Sequence, residues 1–283
     1  MKRNLIFIVC CLLTTWVWAQ EYQRTGTGIK ASIPGKKIDV EVQWFNANSL
    51  RVLKMPHGQT IEKKSLSVIA KPENTNLKVS TPGNGNIVMK SRSLTVKLDT
   101  QTGILTYETS NGASLLKELE NVKAFTPVND AGRVTYSVYQ SFETDKDEGL
   151  YGLGQLQNGR MMQRGMEKYL VQGNTEDVTP IFQSTKGYGV FWDNYAGTTY
   201  VDNEQETSFR SDVGDCIDYY FMYGGSADGV IAQIRSLTGS VPMMPLWSYG
   251  FMQSKERYKS QDEVVGVVKK YRELGIPLDC IIQ

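Results

Sequence analysis

Histidine and cysteine are nearly absent. The 283 residues contain one histidine, His57, and four cysteines. With one histidine and no Cys-x-x-Cys pair, the usual zinc ligand sets cannot be assembled, and no metal site is expected. A Ser-His-Asp triad would have to use His57, which lies between Pro56 and Gly58 in a turn-like setting without a nucleophile elbow. Cys10 and Cys11 fall in the apolar start of the chain. That leaves Cys216 and Cys280, each in an apolar run and read as a buried free thiol, too few for a disulfide framework. Net charge is also lacking, with 31 basic and 30 acidic residues. No basic patch points to nucleic acid or an anionic membrane, so a neutral ligand is expected. No apolar run approaches the roughly 20 residues that span a bilayer. Gly152-Leu153-Gly154 lacks the third glycine and following helix of a dinucleotide fingerprint, and no cofactor is expected.

The first residues form a separate object. Lys2 and Arg3 precede the apolar run Leu5 to Leu13, and Val17-Trp18-Ala19 supplies a small residue for cleavage. This is the order of a secretory signal peptide over residues 1–19. Export to the periplasm or the extracellular space is expected, with cleavage near Ala19. Val9 before Cys10 argues against a lipid anchor. Removing Lys2 and Arg3 leaves 29 basic residues against 30 acidic ones.

From Gly28 to Tyr223 the pattern is one of short strands. Ile38-Asp39-Val40-Glu41-Val42 and Leu94-Thr95-Val96-Lys97-Leu98 alternate with period two. Turn residues punctuate them at Pro34-Gly35, Gly83-Asn84-Gly85, Thr102-Gly103 and Asn111-Gly112. Many short strands without intervening long helices predict a mostly β protein built as an antiparallel β-sandwich, over residues 20–240. Ser226 is placed to cap a short helix that Gly239 closes, with Val230, Ile231, Ile234 and Leu237 on one face.

The proline-punctuated stretch Val241 to Pro245 marks a boundary, and residues 241–283 read as β-α-β. Leu246 to Met252 reads as an apolar strand. Ser260-Gln261-Asp262-Glu263 has the form of a capping box, and Gly275 and Pro277 end the helix. Leu278 to Ile282 opens a second, parallel strand. Asp279 is expected to be a buried carboxylate in a structural hydrogen bond. Two parallel strands and one helix do not form a stable layer by themselves, so the segment reads as the start of a truncated (β/α)8 barrel.

Four stretches then resemble glycoside hydrolase family 31, the α-glucosidase and α-xylosidase family. They are Tyr151-Gly152-Leu153-Gly154-Gln155 with Arg164-Gly165; Gly187-Tyr188-Gly189-Val190-Phe191-Trp192-Asp193-Asn194; Pro245-Leu246-Trp247-Ser248-Tyr249-Gly250-Phe251 with Ser254, Arg257 and Tyr258; and Tyr271 to Asp279. Leu94 to Glu108 also resembles the family's N-terminal sandwich. The resemblance implies a galactose-mutarotase-like sandwich before the barrel, and retaining hydrolysis of an α-linked terminal glucose or xylose by two carboxylic acids. Transglucosylation and lyase activity are minority outcomes within it. The family's catalytic aspartates lie on later barrel strands, so none is assigned here, and the segment alone is expected to be inactive. The family also sends a sandwich loop over the barrel mouth. Asn174, Thr175 and Glu176 match its place, and Ser254 and Lys255 follow the first barrel strand, which makes these five the candidate oligosaccharide-binding residues. Lys255 and Glu256 read alternatively as an ion pair or surface charges. A non-catalytic carbohydrate-binding or scaffolding sandwich is the competing class, and a partial or frameshifted gene the other account of the chain.

Overall fold

A computed structural model describes residues 22–83, 85–121 and 123–283. Residues 1–19, read above as a signal peptide, lie outside the described residues. The chain divides into two compact units after Gly239.

The first unit is an antiparallel β-sandwich. One sheet runs in the order Tyr22–Arg24, Gly28–Ile33, Ile38–Asn46, Ser49–Pro56, Ile217–Tyr223, Tyr188–Trp192, Asp177–Ser184, Leu150–Gln155. The other runs Glu167–Leu170, Thr198–Asp202, Thr207–Gly214, Arg133–Glu143, Ser114–Glu118, Leu105–Thr109, Leu94–Asp99, Asn86–Lys90, Lys78–Ser80, with Phe125–Asp130 also paired to Arg133–Glu143. The period-two runs place Val40, Val42, Leu94, Val96 and Leu98 in the shared core. Aromatic rings join the sheets there: Tyr107 stacks on Phe221 at 4.1 Å, and the Trp192 Nε1–H donates to Ser211 Oγ at 2.8 Å.

The strands Tyr188–Trp192 and Ile217–Tyr223 are buried along almost their whole length, which explains why they read as continuous apolar runs rather than alternating ones. Their second face is covered. Leu237 and Ile234 of the helix Ala227–Thr238 and Val68 and Ala70 pack against Phe45, Phe191, Tyr220 and Met222. Ser226 caps that helix by accepting from the Gly229 N–H, while Ile231 stays half-exposed. Residues 57–77, which contain no helix or strand, form a strap over the same face. Its backbone is pinned where the Ile69 and Ala70 N–H groups donate to Leu237 O and that of Glu73 donates to Trp44 O.

The second unit pairs Met252–Ser254 in parallel with Cys280–Ile282, connected through the helix Gln261–Glu273. The expected strand from Leu246 is shorter than its apolar run. Leu246–Tyr249 forms a 3-10 turn instead. Ser248 N–H donates to Pro245 O and Gly250 N–H to Trp247 O, consuming groups that a strand would offer its neighbour. The capping box is also modified. Ser260 accepts from the Glu263 N–H, but Glu263 accepts from the Lys259 N–H, not from that of Ser260. Asp279 is exposed, not buried, although it does accept from Phe251 N–H at 3.1 Å. Cys280 is only partly buried, whereas Cys216 is buried as expected.

Candidate functional site

The candidate residues fall into two sets, one in each unit. Asn174, Thr175 and Glu176 sit on the loop that leaves Glu167–Leu170 in one sheet and enters Asp177–Ser184 in the other. Two clasps fix this loop. Gln172 donates to Asp177 Oδ1 at 3.2 Å and Val178 O at 3.1 Å and accepts from Val178 N–H at 3.0 Å. Lys168 pairs with Glu176 at 2.7 Å. Glu176 is thereby committed to the protein, while Asn174 and Thr175 are exposed with no side-chain hydrogen bond to other described residues. Gln172 and Lys168 gave no sequence signal, because a clasp is defined by what it reaches across the loop.

In the second unit Ser254 ends a strand, paired in register with Ile282. Lys255 pairs with Glu263 of the following helix, not with Glu256, and its ammonium lies 4.9 Å from the Tyr258 ring centroid. Gln253 accepts from Tyr271 OH at 2.6 Å, fixing the strand end against the helix.

His57 does not form a triad. Ser32 Oγ donates to Asp39 Oδ1 at 2.6 Å and His57 Nδ1 meets the same oxygen at 2.8 Å, so the carboxylate stands between serine and imidazole. A triad needs the imidazole in the middle, to take the serine proton. Burial opposes the Asp39 charge, but the Ser32 hydroxyl, the Gly58 N–H and His57 together hold its carboxyl below the ordinary value.

Two charged clusters are buried in the sandwich. In one, Lys54 donates to Glu118 at 2.6 Å, Gly103 O at 3.1 Å and Gln140 at 3.2 Å. Glu118 also accepts from Leu105 N–H and Tyr219 OH, each at 2.6 Å. In the other, Arg51 holds Asp218 with two bonds of 2.8 and 2.7 Å, and the strap's Lys63 adds a third at 2.8 Å. Asp193, from the Trp-Asp-Asn stretch, lies beside them with a fully buried side chain and no hydrogen bond to either oxygen; Lys63 Nζ is 3.8 Å away.

Burial and then repulsion from Asp218 push the Asp193 carboxyl above its ordinary value of 3.8, against the pull of Lys63, the Ser65 hydroxyl and Arg51. The Cys216 thiol, pushed up to about 12 by burial, and Tyr220 complete the titratable surroundings. A raised carboxyl means that the folded chain binds the proton more readily than the unfolded one, so this group's contribution to stability falls as pH rises above about 3.8. Asp193→Asn removes that penalty. Its stability should match the parent's near pH 4 and exceed it increasingly toward pH 7, by roughly 1 kcal/mol or more, the cost of a poorly satisfied buried group. Melting curves at several pH values check this.

Glycines account for the Tyr-Gly-Leu-Gly-Gln stretch. A β-bulge there puts Gly152, Leu153 and Gly154 at φ of +124°, +66° and +91°. A Cβ on Gly154 would lie 2.1 Å from Asp177 O, at the foot of the candidate loop. Arg164 is a latch: it donates to Thr144 Oγ1 and the carbonyls of Asp145 and Glu148 and pairs with Asp202 at 3.1 Å, while Gly165 N–H donates to Asp202 at 2.7 Å. These motifs are architectural, and they set the frame on which the loop is mounted.

The glycosyl hydrolase 31 N-terminal galactose mutarotase-like domain matches residues 39–202, and the glycosyl hydrolases family 31 TIM-barrel domain matches residues 241–283. The chain belongs to glycosyl hydrolase family 31. Within the family it is 37% identical over 254 residues to an alpha-xylosidase of Saccharolobus solfataricus, covering 87% of this chain and 34% of that protein. It is 26% identical over 260 residues to alpha-glucosidase 2 of Bacillus thermoamyloliquefaciens, covering 86% of this chain and 32% of that protein. The chain thus spans about a third of the length of these relatives. Its fold matches a family 31 alpha-xylosidase from Xanthomonas citri with a TM-score of 0.78 at 23% identity, over 92% of this chain and 45% of that one. A soil-metagenome family 31 alpha-xylosidase complexed with xylose gives a TM-score of 0.79 at 24% identity, over 92% of this chain and 41% of that one. The architecture is therefore a family 31 sandwich followed by the first β-α-β unit of a (β/α)8 barrel.

Proposed function

We propose that this chain is the N-terminal part of an exported, retaining α-glycosidase that releases terminal α-linked xylose or glucose from oligosaccharides. The observation that carries this reading is the 37% identity to an alpha-xylosidase across 87% of the chain. In this reading residues 20–240 form the N-terminal sandwich, 241–283 begin the catalytic barrel, and 1–19 direct export. Asn174 and Thr175 supply unengaged hydrogen-bonding groups for sugar hydroxyls, and Glu176 holds their loop through Lys168. Ser254 and Lys255 are the candidate substrate-binding residues of the second unit, taken by itself.

Retaining hydrolysis needs two carboxyl groups about 5 Å apart, both open to substrate. Asp193 and Asp218 are neighbouring carboxylates, but both are fully buried under the strap with Arg51 and Lys63. They have no route to a glycosidic bond. The 283-residue chain is expected to release no p-nitrophenol from the α-xyloside or α-glucoside, and a protein extended to its relatives' length to release it from one of them. Turnover by the 283-residue chain would refute the assignment of the chemistry to later strands. No turnover by the extended protein would refute the glycosidase reading and favour a binding-only sandwich.

A further inference from the structure

We propose that a rigid aromatic platform beside the candidate loop, provided by Tyr195, is a separate subsite for a neutral sugar unit of an oligosaccharide; it rests on the glycan-binding reading of that loop. The turn between Tyr188–Trp192 and Thr198–Asp202 carries Tyr195, whose residue surface is 53% exposed; Tyr169, on the adjoining edge strand, is 47% exposed. Exposed tyrosines ordinarily keep their hydroxyls in water, but both of these are fixed. Tyr195 OH accepts from Leu66 N–H at 2.6 Å and donates to Lys64 O at 3.4 Å. Tyr169 OH donates to Asp212 Oδ2 at 2.6 Å. The Lys63 ammonium also lies 5.0 Å from the Tyr195 ring centroid.

Gly197 lies against the Tyr169 hydroxyl. A Cβ there would sit 2.0 Å from the Tyr169 oxygen, so a side chain at this position would displace that ring. Rings held in advance lose little freedom on binding, which favours affinity for a planar apolar face.

Tyr195 lines a cavity of about 320 Å³ whose other walls include Val171, Val178, Pro180 and Ala196. No lining residue is charged. The polar members Gln172, Asn194 and Thr198 spend hydrogen bonds within the protein. Walls of this kind offer contact to the C–H face of a sugar ring. It is continuous with the loop through Gln172, two residues before Asn174, so a glycan engaging Asn174 and Thr175 has a platform for a further unit.

Ligand-observed NMR titrations of this chain with D-xylose, D-glucose, a xyloglucan heptasaccharide and maltoheptaose test the proposal. At least one oligosaccharide should bind. Tyr195→Ala should weaken it about five- to tenfold while leaving the monosaccharides unchanged, and Tyr169→Ala, whose ring does not line the cavity, should change neither. Tyr195→Phe, which keeps the ring, should lose less, and melting curves of each variant verify folding. If the oligosaccharide binds and Tyr195→Ala does not change its affinity, the platform is refuted and the loop reading stands. If Tyr195→Ala weakens mono- and oligosaccharides equally, the ring belongs to the loop's own site and the separate subsite is refuted. If no oligosaccharide binds the parent chain, both readings fall.

Discussion

Replacing Glu118 by glutamine is expected to destabilise the sandwich by about 3–5 kcal/mol, because it strands the buried Lys54 ammonium without its counter-charge. The geometry makes relief difficult. The Lys54 and Glu118 side chains are 7% and 0% exposed, and Leu105 N–H and Tyr219 OH converge on the carboxylate from other strands. Glutamine would also present an N–H₂ where a second acceptor is needed. Burial, followed by the Glu118 charge, holds the Tyr219 hydroxyl well above its ordinary value, so it stays protonated and donates to Glu118. For a unit of this size the loss corresponds to a fall in thermal midpoint of roughly 10 °C. The double variant Lys54→Met with Glu118→Leu should recover most of it, since removing both charges also removes their desolvation cost. Calorimetry on the parent, Glu118→Gln and the double variant decides it. A single variant that melts within about 2 °C of the parent would show that water reaches the pair.

Gly154→Ala is expected to cost more than its one added methyl group suggests. Gly112 and Gly154 have nearly the same φ, at +87° and +91°. A Cβ on Gly112 meets nothing within 4 Å, whereas one on Gly154 lies 2.1 Å from Asp177 O and 2.6 Å from Thr179 N. Gly112→Ala therefore isolates the conformational strain, about 1 kcal/mol. Gly154→Ala adds a collision with backbone, which yields only if the bulged strand separates from Asp177–Ser184. A total of about 3 kcal/mol or more is expected, in the range seen when a special backbone position is broken. Because the collision falls at the start of that strand, amide exchange at Val178 and Thr179 should quicken in Gly154→Ala and stay unchanged in Gly112→Ala. Equal melting of the two variants would mean that only φ matters there.

These two positions show where sequence reading works and where it stops. Alternation predicted that Val40, Val42, Leu94, Val96 and Leu98 face inward, and they do, because strand period is a local property of the backbone. The Ser226 cap and the helix closing at Gly239 were readable for the same reason: each is completed within a few residues. The Leu246 run was misread because its first residues satisfy their own backbone groups in a tight turn, a competition that hydrophobicity does not register. The Lys255 partner was misassigned to its chain neighbour, whereas a helix turn brings Glu263 closer.

By itself the sequence determined the family, the β-sandwich and the β-α-β start of a barrel, since short-range periodicity and an ordered set of motifs carry that information. Only the tertiary structure decided what the motif residues do. Gly154 answers to Asp177, Lys54 to Glu118 across 64 positions, Lys63 to Asp218 across 155, and Tyr195 to Leu66 across 129. In each case the energy depends on a distance and a dielectric environment that exist only once remote segments have packed together.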